Sequence, residues 1–206
     1  SAEAGKLSKH TLYLHSTITP NNRGFDQILI NSSTALSINS VRVNGELIDN
    51  TIEQVEKDNL ITLKNTIETT SLIEIDFEST VYINQTRFDT YLLNRQLGDS
   101  VRQPVDSGDA SALIKSNVTY ITLPINTPLI DHFTLSNQLI SPNGDGINDT
   151  VLISLDLLKV IEPRPIEIKI YDLRGHCVAT IANANAQAGR LQFIWDGRSN
   201  TKKLLK

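Results

Sequence analysis

Apolar and polar residues alternate along most of the chain, and stretches with helical period are hard to find, so the pattern predicts strands. The first alternating run is Thr11 to Ile18, followed by a turn at Pro20-Asn21-Asn22-Arg23-Gly24 and strands at Phe25 to Ile30 and Ile38 to Val43. Asn44-Gly45 separates Val41-Arg42-Val43 from Glu46-Leu47-Ile48, which predicts a two-residue hairpin. Leu60 to Leu63, Leu72 to Ile83 and Phe88 to Leu93 continue the series, and Gly98 to Ser111 is a polar break holding Pro104, Gly108 and three aspartates. Val118 to Ile125 reads as a strand again. About eight short strands in roughly 120 residues is the spacing of a sandwich.

Pro124, Pro128 and Pro142 then punctuate the chain. A second set of strands follows at Thr150 to Leu155, Ile166 to Tyr171, Cys177 to Ile181 and Leu191 to Trp195, with a hairpin turn at Leu173-Arg174-Gly175. The predicted fold class is all-β, with two β-sandwich modules in tandem. The first spans residues 8–127 and the second 128–206.

Composition narrows this picture. Hydrophobic residues make up 39% and charged residues 20%, a globular balance with few aromatics. Ile, Leu and Val beside abundant Thr, Asn and Ser favour pleated sheet over helix bundles. The net charge is −4, and no dense basic block precedes Lys202-Lys203 and Lys206, so nucleic acid is excluded as a partner. The apolar runs are too short to span a bilayer, which excludes direct membrane insertion. No charged-then-apolar leader opens the sequence. Cys177 is the single cysteine, so no intrachain disulfide forms, and an extracellular chain of this kind favours a bacterial source.

The most informative segment is Leu139-Ile140-Ser141-Pro142-Asn143-Gly144-Asp145-Gly146-Ile147-Asn148-Asp149-Thr150. Gly144 and Gly146 can take positive φ, while the Asn and Asp side chains close local hydrogen bonds to the backbone. The segment should be a compact, rigid turn feeding the strand from Thr150. Downstream lie the strand and turn Ile166 to Gly175, and then Gly189 to Gly197, ending in Trp195-Asp196-Gly197.

These three pieces, in this order, resemble the FlgD-type immunoglobulin-like domain and the related C-terminal modules of large bacterial surface and secreted proteins, over about residues 133–206. The resemblance implies an immunoglobulin-like sandwich with an accessory, anchoring or sorting role at the cell surface. Such modules continue past the Trp-Asp-Gly turn into a final strand, whereas this chain stops at Lys206. The expectation is therefore a module without its last strand, whose open edge pairs with another segment. The stretch Thr86-Arg87-Phe88-Asp89 through Asp106-Ser107-Gly108-Asp109-Ala110 resembles the immunoglobulin- or cohesin-like sandwiches that precede such domains.

Among candidate chemistries, calcium comes first. Asn143, Asp145 and Asp149 present oxygens from one Gly-rich turn, as a hard cation requires. Aligned on an EF-hand loop, however, Ser141 would fill the first position and Leu152 the twelfth, where acidic ligands are needed. The turn is read first as structural, with calcium as the candidate cofactor. Asp106-Ser107-Gly108 matches an aspartic-protease signature, but that mechanism needs two such aspartates and the chain has one copy. His10, His15, His132 and His176 are scattered, and none has the short spacing of metal-binding pairs. Cys177 beside His176 is expected to be a small core residue rather than a nucleophile.

The expected function is a non-catalytic extracellular or cell-surface structural and adhesion module, a protomer of a larger assembly. Its partners would be proteins or further copies of itself, joined through exposed strand edges, with glycans as further candidate ligands. The alternative is an accessory binding, sorting or anchoring module of a larger secreted enzyme.

Overall fold

The computed structural model describes residues 2–55, 57–98, 101–114 and 116–204. The chain divides into two compact units, Ser1–Leu123 and Pro124–Lys206. Both are built from antiparallel strands, so the all-β class is as the alternation predicts.

The first unit contains β1 (Leu7–Ser16), β2 (Phe25–Ser32), β3 (Leu36–Val43), β4 (Glu46–Leu47), β5 (Asn50–Val55), β6 (Asp58–Ile67), β7 (Ser71–Thr80), β8 (Thr86–Leu93), β9 (Arg102–Pro104) and β10 (Tyr120–Ile121). One sheet runs β1-β7-β3-β4. The other runs β10-β8-β2-β6-β5, with β9 also on β8. β7 shows the physics plainly, because its odd positions from Ser71 to Ser79 are all buried while the even ones stay half exposed. Ile73, Ile75 and Phe77 of that face meet Ile28 and Ile30 of β2, Ile61 and Leu63 of β6 and Phe88 of β8 in one core. Each such side chain, taken out of water, stabilises the sandwich by about 1.5–3 kcal/mol before chain entropy is counted.

The turns follow their residue chemistry. Asn44 and Gly45 have φ of 52° and 85° and join β3 to β4, as the Asn-Gly signal predicts. Gly24 also has positive φ, and a Cβ there would lie 2.1 Å from the Ile67 carbonyl oxygen, so only glycine fits. On the solvent face of the first sheet, Asp76 accepts from Thr11 Oγ1 at 2.7 Å, Ser40 Oγ at 2.8 Å and Arg42 Nη1. The Thr11 hydroxyl, then Arg42 and Ser40, hold its carboxyl down to about 2.

Several strands differ from the sequence pattern. β5 and β9 carry no clear alternation of apolar residues and form as partners of β6 and β8. The run Val118 to Ile125 shortens to the two residues of β10, which pair with Arg87 and Thr86. Of the polar break, Asp99 and Ser100 lie outside the described residues, as does Lys206.

The second unit contains β11 (Ile130–Leu135), β12 (Val151–Leu157), β13 (Arg164–Tyr171), β14 (Cys177–Ala186) and β15 (Gly189–Trp195). β12 is the centre of a β11-β12-β15 sheet, and β13 and β14 pair as a hairpin. Val151, Ile153, Leu155 and Leu157 of β12 are buried, and Ile166, Ile168 and Ile170 of β13 are half-buried on alternate positions. After Trp195 the chain makes a small bridged turn, with Arg198 paired to Leu204. Asn200 fastens this turn to β14. Its N–H donates to the Val178 carbonyl at 3.0 Å, and its Oδ1 accepts from Thr180 N–H at 2.8 Å.

Candidate functional site

In the Asn/Asp/Gly turn, Gly144 and Gly146 sit at φ of 83° and 84°, and Asn148 at 56°. That backbone aims successive amides inward at the acidic side chains. Asp149 accepts the Gly144 N–H on Oδ1 and the Gly146 N–H on Oδ2, both at 2.8 Å. These two amides, Gly144 first, hold its carboxyl below the ordinary carboxylate range. Asp145 accepts from Ile147 N–H at 2.7 Å and from Asn143 Nδ2 at 2.8 Å, while Asn143 Oδ1 accepts from Asp145 N–H at 3.0 Å. The three residues singled out as calcium ligands are thus brought together. All five of these carboxylate and amide oxygen contacts are with the turn's own N–H groups. Among the described residues, no group of three or more His, Cys, Asp or Glu side chains could hold a metal ion.

The Trp-Asp-Gly turn packs directly on this segment. Gly197 is buried at φ 75°, and a Cβ there would lie 2.7 Å from Pro142 Cγ and 2.9 Å from Ile140 Cδ1. Val151, just after the first motif, pairs with Trp195 in the β12–β15 register. Trp195 Nε1 donates to the Arg198 carbonyl at 2.9 Å, and Asp196 Oδ1 accepts from Arg198 N–H at 3.1 Å. Two motifs about 50 residues apart in sequence therefore form one structural joint.

The β13–β14 turn uses the same device. Asp172 Oδ1 accepts from the N–H groups of Arg174 and His176, each at 2.9 Å, and the His176 amide leads in holding this carboxyl below its ordinary range. His176 Nδ1 lies 3.3 Å from the other oxygen. Cys177 corrects the sequence reading. It is exposed rather than in the core, because β14 begins there, at the turn end of the hairpin, with its Sγ 3.6 Å from the Ala179 carbonyl.

A cluster that sequence reasoning missed lies on the opposite face of β12. Asp156 is 0% exposed. Its carboxylate accepts from Arg190 Nε at 2.8 Å and Nη2 at 3.1 Å, and from His132 Nδ1 at 2.9 Å. Register explains the arginine, since Asp156 stands opposite Arg190 on β15. A bulge between Asp131 and Thr134 explains the histidine, because it leaves His132 at φ 48°. A carboxylate only accepts, so Nδ1 carries the proton in this contact. The cluster joins all three strands of the sheet. The one signal in the sequence was an aspartate inside the apolar run Val151 to Leu157.

In the first unit, Asp106-Ser107-Gly108 lies in an exposed, irregular segment after β9. Asp106 and His15 border a cleft of about 640 Å³ walled by Phe25, Leu92, Asn94 and Val105. His10 sits half-buried against Phe77 with ring centroids 5.4 Å apart, and burial holds its imidazole below the usual range.

The second unit therefore belongs to the class of compact all-β modules whose signature turns lock onto each other. Residues 133–206, about a third of the chain, match the family model of the CHU_C type IX secretion signal domain. The region is thus a C-terminal module of secreted bacterial proteins, and it indicates export out of the cell. Neither the curated proteins nor the solved structures hold a match to the chain.

Proposed function

We propose that residues 124–206 act as the export and surface-sorting signal of this protein, with residues 1–123 as the non-catalytic body that is delivered. The observation that carries this reading is the secretion-signal match, which falls wholly inside one of the two compact units. It favours the sorting role over a primarily structural or adhesive one for that unit. In this reading the module has a FlgD-type, immunoglobulin-like architecture. The body, once outside, makes protein or glycan contacts through its sheet edges and its open cleft.

The test is a transplant. A soluble reporter carrying residues 124–206 at its C-terminus should appear outside a bacterium that has a type IX secretion route, and the bare reporter should stay inside. The chain shortened to residues 1–123 should also be retained. Release of the shortened chain at the level of the full chain would reject the reading.

A further inference from the structure

The reading of residues 124–206 as an export signal raises the question of which surface is read, and the answer below rests on that reading. A signal carried by a folded module needs a surface that a partner can recognise. Strand edges are natural candidates, because their unpaired N–H and C=O groups accept another strand.

The edges in this unit are not equivalent. β13 carries Arg164, Pro165, Glu167 and Lys169, a charged and proline-bearing strand of the kind that discourages pairing. β14 carries Asn183 and Asn185 and is tied at its start to the Asn200 turn. β11 and β15 are the two ends of the other sheet. β15 exposes one large apolar side chain, Ile194, beside the exposed Arg190 and Gln192, and β11 differs from all three. Its apolar side chains Ile130, Phe133 and Leu135 are 49%, 60% and 47% exposed, although the β12 residues paired with Ile130 and Leu135 are buried. Of its two titratable groups, His132 is drawn back to Asp156 of β12, and Asp131 bonds only within its own strand, accepting the His132 N–H at 2.8 Å. The strand therefore offers an apolar row and an edge on which no further strand is paired, with Asp131 as its one acidic group.

Size selects the occupant. Six residues of strand span about 20 Å. The exposed apolar area of three half-covered side chains is on the order of 300 Å², well below the ~800 Å² per partner of a stable dimer interface. A second copy of the chain is therefore a poor fit, and one extended segment is a good one. We propose that β11 is the read-out edge of the signal, where an extended, uncharged segment of the export apparatus adds as a further strand and covers Ile130, Phe133 and Leu135.

The experiment uses the full chain in an exporting host. Phe133→Lys and Ile130→Lys each place a charge on the apolar row at an exposed position, so both should melt as the wild type does. Asn183→Lys on β14 is the control. The two β11 variants should lower the exported fraction by about tenfold, while Asn183→Lys exports normally. If either β11 variant melts normally and is exported at the wild-type level, the assignment of β11 is overturned. Chain lacking residues 124–206 is run alongside. Its retention together with normal export of the β11 variants would reject only the edge, whereas its release would reject the signal reading as well.

Discussion

Replacing Asp156 with asparagine tests whether the missed cluster holds the C-terminal unit together. The carboxylate has no solvent exposure and takes three charge-assisted hydrogen bonds, two from Arg190 and one from His132. Removing one partner of a fully buried ion pair costs about 3–5 kcal/mol, chiefly because the other charge is stranded. Here the Arg190 side chain is half exposed and can turn to water, so the lower end applies, about 3 kcal/mol. For a unit of this size that is a fall in Tm of roughly 10–20 °C. Trp195 is the single tryptophan and lies in β15, so its fluorescence follows this unit alone. The loss should shrink in 1 M salt without vanishing, because Asp156 is buried while Arg190 is half exposed. A fall of less than about 2 °C, or one abolished by salt, would refute the cluster as the tie between the three strands.

Gly197→Ala should destabilise the same unit by about 2–3 kcal/mol, since positive φ and the contact with Pro142 both oppose a Cβ, whereas Gly144→Ala faces open space and should cost about 1 kcal/mol. Equal effects in a Trp195 melt would count against the joint. Asp76→Asn should remove a pH dependence from the first unit. A carboxyl held at about 2 contributes stability above its unfolded value near 3.9 and loses it as pH falls toward 2. Solvent screening reduces this to about 1 kcal/mol, readable as a shallower acid-unfolding curve by circular dichroism. Millimolar calcium or a chelator should move the Trp195 melt by less than ~1 °C, because the turn's own amides occupy the oxygens of Asn143, Asp145 and Asp149. A calcium-dependent rise would instead establish that turn as a cation site.

What the sequence determined by itself was local. Period-two alternation was enough to place most strands, because burying one face of a sheet leaves a mark at every second residue. Asn44-Gly45 and the 141–150 turn were legible because backbone geometry and Asx hydrogen bonding are settled within a few residues. The tertiary structure decided whatever depends on register. β5 and β9 are strands because β6 and β8 offer edges, although their own residues carry no strong pattern. Cys177 is exposed because β14 starts beside the turn. Gly197 must be glycine because Pro142 and Ile140 arrive from far along the chain. His132, Asp156 and Arg190 meet only through the β11–β12–β15 register and one bulge, and a one-residue slip would send those side chains to the other face of the sheet.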